Sequence, residues 1–300
     1  MGSTVRIVML GTGAALVDPD RGHSGIVLSV EGRHYLLDIG HGTTRQLVRA
    51  NIDPSTVNNV LISHLHFDHI EDTAYFVIGT WMSNRGEKLH IHGPPGTRTF
   101  VDHLLEKGAY QADIHARAQY KQRADTLDMV RPVVHEFGPG PIFDDGLVKV
   151  WADYVDHIPS EILHCFGFRV EAAGKVIAFS GDTKPCAAMV RLAQDADLLI
   201  HDCTFPEEAL EFRKRTNIGT YAHTSPTELG KLATRAGVKS LVATHFGHFD
   251  TTSPVMKRYL AQHMPIELVG PDFMESVVRD IRKHYVGPLR IAHDLMRIDL

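Results

Sequence analysis

Short apolar runs that alternate with helical segments predict an α/β protein built on mixed sheets. Two pairs of runs, residues 25–30 with 34–39 and residues 166–171 with 175–180, are each separated by a tight turn and read as hairpins. Hairpins demand antiparallel pairing, while strands separated by helices demand parallel crossovers, so both kinds must occur. No Pro- or Ser-rich linker, low-complexity segment or internal repeat at solenoid periods divides the 300 residues. One domain over residues 1–300 is therefore expected.

Residues 5–10 are an apolar strand ending in Gly11-Thr12-Gly13. No third glycine or helix follows, so the glycines predict a tight turn rather than a dinucleotide loop. Residues 25–30 and 34–39 form the first hairpin around Glu31-Gly32. Residues 43–50 predict a helix, and residues 57–62 a short buried strand. A helix packed on the sheet is expected at 70–81, and a strand at 89–92 halted by Gly93-Pro94-Pro95-Gly96. Another helix is expected at 97–107. Residues 109–130 are polar and mixed, and suit either an irregular lid or a helical excursion. Strands at 133–137 and 147–155 flank the turn-rich Gly138-Pro139-Gly140-Pro141, and the second hairpin follows. A helix at 185–194 and a strand at 198–200 come next. Ser225-Pro226-Thr227-Glu228 has a capping residue, a first-turn proline and an acidic capping partner, and so starts a helix running to about residue 236. A strand at 240–243, a last helix near 254–263 and two C-terminal strands complete the chain.

With 43% hydrophobic and 22% charged residues, the composition is that of a soluble globular protein. A net charge of -5 gives no electrostatic footprint for nonspecific binding to nucleic acid or anionic membranes. No apolar run approaches the roughly 20 residues of a membrane span, and the N-terminus lacks a signal-peptide pattern. Cys165, Cys186 and Cys203 are widely spaced and odd in number, which predicts buried thiols in a cytoplasmic protein rather than disulfides. Twenty histidines against three cysteines favour a nitrogen-rich metal site.

That site begins at Ser63-His64-Leu65-His66-Phe67-Asp68-His69. Imidazole and carboxylate are ligands that zinc and similar divalent metals prefer. In an extended segment His64 and His66 point the same way and can grip one ion. Asp68 and His69, past a turn of the backbone, are free to face a second. Three further strand ends carry such ligands: His157, Asp182 and His245. Strand ends of α/β structures converge on one rim. The expected arrangement has His64, His66 and His157 on one metal, Asp68, His69 and His245 on the other, and Asp182 bridging. A hydroxide between two cations, its pKa lowered from 15.7 toward about 7, would be the nucleophile.

These residues give a specific resemblance. The chain resembles a metallo-β-lactamase-fold hydrolase of the ribonuclease Z and arylsulfatase-like branch. The matching stretches are Leu10-Gly11-Thr12-Gly13, Asp38-Ile39-Gly40-His41-Gly42-Thr43, residues 63–70, His92-Gly93-Pro94-Pro95-Gly96-Thr97, Phe179-Ser180-Gly181-Asp182-Thr183, Leu199-Ile200-His201-Asp202-Cys203-Thr204, Ala222-His223-Thr224-Ser225 and Thr244-His245-Phe246. The resemblance implies a four-layer αββα sandwich, two Zn2+ ions with Mn2+ or iron as alternatives, and a homodimer. It also implies that His223, oriented by Asp202, acts as a general acid. Asp202 is one methylene shorter than the glutamate usual at that position.

One departure bears on substrate. Ribonuclease Z inserts a tRNA-gripping arm between its third histidine and the bridging aspartate, whereas only 24 residues, 158–181, lie there in this chain. A small-molecule ester, either a phosphodiester or an aryl sulfate, is therefore expected rather than nucleic acid. Lactone or carboxyl-ester hydrolysis on the same site is the alternative; a tRNA 3′ endonuclease and a di-iron redox protein rank below it. Asp38 is expected to support the metal loop. His23, His41, His164 and His248 lie beside matched motifs, where a hydrogen-bonded structural role is favoured over lining the pocket. Trp81, Met82 and Phe246 are expected in the core, and Cys203 to be inert.

Overall fold

The computed structural model describes residues 4–105, 107–217, 222–262 and 264–300. Expectations touching Met1, Gly2, Ser3, Glu106 and His263 lie outside the described residues. The strands of the first half are β1 (Val5–Gly11), β2 (Gly25–Val30), β3 (Arg33–Leu37), β4 (Val57–Leu61), β5 (His90–Gly93) and β6 (Val133–Glu136). Those of the second are β7 (Gly140–Asp144), β8 (Val148–Tyr154), β9 (Phe166–Ala172), β10 (Lys175–Phe179), β11 (Leu198–Asp202), β12 (Leu241–Thr244), β13 (Leu289–Ile291) and β14 (Arg297–Asp299). They make two seven-stranded sheets, ordered β14-β1-β2-β3-β4-β5-β6 and β13-β12-β11-β10-β9-β8-β7.

Both sheets are mixed, and in the same way. From β14 to β3 the first sheet is antiparallel, and from β3 to β6 it is parallel. The second is antiparallel from β7 to β10 and parallel from there to β13. Both expected hairpins are present, the first turning through Glu31 and Gly32 at positive φ.

The helices are α1 (Thr43–Arg49), α2 (Phe67–Ile70), α3 (Thr73–Met82), α4 (Thr97–Leu104), α5 (Gln111–Arg117), α6 (Lys121–Ala124), α7 (Ala187–Leu192), α8 (Glu207–Thr216), α9 (Pro226–Arg235), α10 (Pro254–Ala261) and α11 (Pro271–Arg282). Period-two alternation builds the layers. Val5, Ile7 and Met9 of β1 and Ile26, Leu28 and Val30 of β2 pack toward Val150, Phe168 and Ile177 of the other sheet. Val8, Leu10 and Val27 face outward onto Leu47 of α1, Phe76 and Trp81 of α3 and Val101 of α4. On the far side, Met189, Leu229, Leu232, Val277 and Ile281 of α7, α9 and α11 cover the second sheet. This is the αββα sandwich expected.

Several details differ from the sequence-based expectation. The helix expected over 70–81 is α3, which begins three residues later, because Ile70 instead ends the single-turn α2 and Glu71 and Asp72 separate the two. Gly140-Pro141 is not a turn but the start of edge strand β7, where a proline lacking its N–H is tolerated. Residues 109–130 are a helical excursion, not a lid. Arg123 of α6 donates to the carbonyls of Trp81 and Met82, tying the excursion to α3. Helices α8 and α11 were not expected. No helix among the described residues is long and apolar enough to cross a membrane.

Candidate metal centre

The apolar strand β4 ends at Leu61, and the next residues turn across the rim of the sandwich. His66 is still extended and caps the single-turn α2, which carries Asp68 and His69. His64 Nε2 and His66 Nδ1 stand 3.1 Å apart, and His66 Nδ1 is 3.2 Å from His157 Nε2. The planes of His66 and its two neighbours are nearly perpendicular, at 73° and 80°, so their edges converge. Asp182 Oδ2 lies 3.9 Å from His64 Nε2 and 3.8 Å from His157 Nε2. Its other oxygen, Oδ1, faces a second group, 3.5 Å from His69 Nε2 and 3.4 Å from His245 Nε2. Asp68 Oδ2 completes that group at 3.7 Å from His69 Nε2 and 3.3 Å from His245 Nε2.

Zinc–nitrogen bonds of 2.0–2.1 Å at tetrahedral angles put ligand atoms about 3.3 Å apart. The two groups already have that spacing, and within each the ligand atoms lie within 4.8 Å of one another. His69 Nε2 and Asp182 Oδ1 are buried without a hydrogen-bond partner, a costly condition that a cation would relieve. The donors present therefore fit metal ions.

The second nitrogen of each of these histidines save His66 has an identified partner, and at His64, His69 and His157 that partner is an acceptor that places the proton on Nδ1. His69 Nδ1–H donates to Asp38 Oδ2 at 2.7 Å, and His157 Nδ1–H to the Ala222 carbonyl at 2.8 Å. Ser63 Oγ donates to Asp38 Oδ2 and so accepts from His64 Nδ1, 3.0 Å away. Thr204 Oγ1 lies 2.9 Å from His245 Nδ1. Sequence reasoning missed Ser63 and Thr204, because a hydroxyl beside a ligand has no spacing signature.

Electrostatics divide the two groups. Burial, reinforced by neighbouring imidazoles, holds His64 and His66 below the usual histidine range, so each ring is neutral and keeps one nitrogen bare. Burial acts the same way on His69 and His245, yet Asp182 and Asp68, joined at His69 by Asp38, outweigh it and raise both. Burial would raise Asp182 too, but His245 and His69 hold it well below the carboxylate range.

His223 and Asp202 also meet. His223 Nδ1–H donates to Asp202 Oδ2 at 2.9 Å, so the shorter carboxylate spans the gap. Both line, or stand directly behind, a cavity of about 480 Å³ that opens onto His66, Asp68, His157, Asp182 and His245. Its other walls are apolar at Phe205, Phe249, Leu260 and Met264 and polar at Thr204, Arg213 and Tyr259. Of the four histidines beside matched motifs only His248 lines this cavity, held by Asp18 and the Ala14 carbonyl. His41 is exposed, and His23 pairs with Glu71. Trp81 and Phe246 are core residues and Cys203 is fully buried, its thiol pushed up by that burial.

Fold and site together define a metal-dependent hydrolase of the metallo-β-lactamase fold. The family model described as Anti-Pycsar protein Apyc1 matches residues 5–242, and the chain belongs to that family. A relative named Ribonuclease Z, from Mycobacterium marinum, is 33% identical over 253 residues, covering 81% of this chain and 86% of its own. Among solved structures, a metallo-β-lactamase fold protein from Bacillus subtilis has a TM-score of 0.72 at 17% identity, covering 99% of this chain and 100% of that one. The short form of human tRNase Z has a TM-score of 0.65 at 24% identity, with 98% of both chains covered. The names of these relatives run against the expectation that nucleic acid is not a substrate.

Proposed function

We propose that the protein is a dinuclear zinc phosphodiesterase acting on a small phosphodiester. The observation that carries this reading is the division of Asp182 between two groups, one oxygen toward His64, His66 and His157 and the other toward Asp68, His69 and His245. When bound there, two metal ions would supply Lewis acidity and acidify a water toward about pH 7.

The chain's own residues do the remainder. His64, His69 and His157 give their Nδ1–H to Ser63, Asp38 and the Ala222 carbonyl, which leaves Nε2 as the atom each would turn to a metal ion; at His69 and His245, where carboxylates favour the charged ring, the ion would displace a proton. His223, with Nδ1–H on Asp202, leaves Nε2 unengaged; in the imidazolium form that the Asp202 carboxylate favours, Nε2–H gives its proton to the departing oxygen and the ring is left neutral on Nδ1. Apolar walls limit water beside the reacting group. The relatives' name supports phosphodiesters over sulfates and lactones. The 24 residues between His157 and Asp182, a short loop and the β9–β10 hairpin, support a small substrate over tRNA. Free cysteines at 165, 186 and 203 support a cytoplasmic location.

A panel of p-nitrophenyl phosphodiester, phosphomonoester, sulfate and carboxyl ester, with a lactone and a 3′-extended tRNA, tests the proposal. Chelator-sensitive turnover should be highest for the phosphodiester. Preferred turnover of sulfate or lactone would overturn the reaction class, and efficient cleavage of tRNA would overturn the substrate size. The relatives named Ribonuclease Z make the second outcome the competing reading.

A further inference from the structure

Residues 222 and 223 reach one histidine of each metal-binding group. On the side of His64, His66 and His157, the Ala222 carbonyl accepts His157 Nδ1–H at 2.8 Å. On the other side the link runs through a hydroxyl. Thr204 Oγ1 lies 3.1 Å from His223 Nδ1 and 2.9 Å from His245 Nδ1, the two rings being 5.6 Å apart and inclined by 27°. His223 Nδ1 also faces Asp202 Oδ2 at 2.9 Å, so it carries a proton that carboxylate and hydroxyl share. With His245 Nε2 turned to a metal ion, the His245 proton sits on Nδ1 as well. Thr204 Oγ1 then accepts twice, which its two lone pairs allow, and its own hydrogen is left to the cavity that Thr204 lines.

We propose that Thr204 is a positioning residue, its Oγ1 joining the candidate metal-binding His245 to the general acid His223 and setting the place of one ring against the other. The inference rests on the reading of His223 as general acid and of His245 as a metal ligand. The backbone holds the hydroxyl where it is. Thr204 follows β11 beside the turn that carries His245: Cys203 N–H donates to the Thr244 carbonyl at 2.8 Å, and Gly247 N–H donates to the Thr204 carbonyl at 2.9 Å. The branched Cβ restricts χ1, and the residue is only 3% exposed, so few other positions are open to Oγ1. Without that oxygen, His245 loses the Nδ1 partner that orients its ring toward Asp68 and Asp182. His223 keeps Asp202 but loses the contact that fixes its distance from the second group. One substitution therefore acts on metal affinity and on protonation of the departing oxygen together.

The zinc-loaded, full-length protein labelled with ¹⁵N in its histidines tests the proton placement without a change at Thr204. His223 and His245 should both carry a proton on Nδ1; a bare Nδ1 on either ring overturns the proposal. His223→Ala and His245→Ala identify the two Nδ1–H resonances by their loss. Thr204→Val removes the acceptor at nearly constant volume, and Thr204→Ser keeps it on a less restricted side chain. Both resonances should shift in Thr204→Val and stay near their positions in Thr204→Ser. If either is unmoved in Thr204→Val, the hydroxyl does not join the rings and the proposal fails.

Affinity and kinetics then show whether both ends of the link matter. In competition with a chromophoric chelator, Thr204→Val should bind the weaker of its two zinc ions about 10–100-fold less tightly than the parent, and Thr204→Ser within about threefold of it. At saturating zinc and with phenoxide as leaving group, Thr204→Val should lower kcat by about tenfold with KM little changed. With p-nitrophenoxide the loss should be under about threefold, because that oxygen departs without a proton. Equal losses for both leaving groups would confine Thr204 to the metal and overturn the link, as would unchanged zinc affinity. If His223→Ala itself shows no dependence on leaving group, the general-acid reading fails, while the resonances still decide whether Thr204 joins the two rings.

Discussion

Asp38 holds more of the metal loop than its place at the end of β3 suggests. Its Oδ1 accepts the Ser63 main-chain N–H at 2.7 Å, and its Oδ2 accepts both Ser63 Oγ and His69 Nδ1. It does this from a left-handed backbone conformation, φ 58°, which aspartate tolerates better than most residues. Replacing Asp38 with Ala should weaken metal binding at the His69 group by about 10–100-fold, measured by competition with a chromophoric chelator. Unchanged affinity would mean that the loop is rigid without it. A second residue-scale prediction concerns His92. Burial, with help from His135 and His90, lowers its pKa to about 4. The unfolded chain therefore binds a proton between pH 6.5 and 4 that the folded chain does not, so stability is intact above that window and falls as pH drops through it. The full loss is about 3 kcal/mol. Urea midpoints at pH 7 and pH 4.5 should show the drop, and His92→Gln should remove most of it. At this scale the candidate metal-binding cluster was legible because HxHxDH compresses four potential ligands into six positions. The partners behind them were not, since Ser63, Thr204 and the Ala222 carbonyl are set by tertiary approach.

Elements carry the next level of the site, and backbone proximity limits what they tolerate. Gly40, just beyond β3, sits so close to the metal loop that a Cβ there would lie 2.1 Å from the Asp68 carbonyl oxygen. Gly40→Ala should push that loop outward, costing about 1–3 kcal/mol and lowering metal content. Denaturant midpoints and elemental analysis would check both; a neutral result would show that the loop can yield. Most strands and the first hairpin were legible from apolar runs and turn residues. Helix α8 was not, because residues 207–216 hold few apolar side chains and resemble a solvated segment. Helix α11 did have a signal, since Met274, Val277 and Ile281 follow helical spacing and face the second sheet. Strand β7 was hidden by Gly140-Pro141, residues that describe a turn everywhere except at a sheet edge.

For the whole molecule, the pairing pattern of one sheet is repeated in the other, and the candidate metal-binding side chains come from rim loops of both. His64, His66, Asp68 and His69 follow β4 of the first sheet; His157, Asp182 and His245 follow β8, β10 and β12 of the second. Metal ions held between them would act as a link across the sandwich, absent from the unfolded chain. Stripping the metals should therefore lower Tm by about 5–10 °C, from roughly 3 kcal/mol at a hundredfold excess over Kd and 2–4 °C per kcal/mol. A scan with and without chelator tests this, and equal Tm values would deny the link. The fold class could be argued from the sequence, whereas the apolar cavity could not. Phe205, Phe249, Leu260 and Met264 meet only because α8 and α10 fold over the rim, and no periodicity announces that meeting.

Strand β14 is hydrogen-bonded to β1, with Asp299 opposite Arg6 and Arg297 opposite Val8. Asp294, just before it, accepts from Thr12 and Gln46 and from the Gly22 main chain. During synthesis the first sheet consequently stays incomplete at this edge until residues 294–299 have left the ribosome. Until then β1 emerges with one bare edge and a loop whose anchors have not been made. A ribosome paused before residue 294 would hold a chain whose six N-terminal strands can pair but whose first edge stays open to chaperones. The edge is thus closed only after every candidate metal-binding residue, the last being His245, has been made.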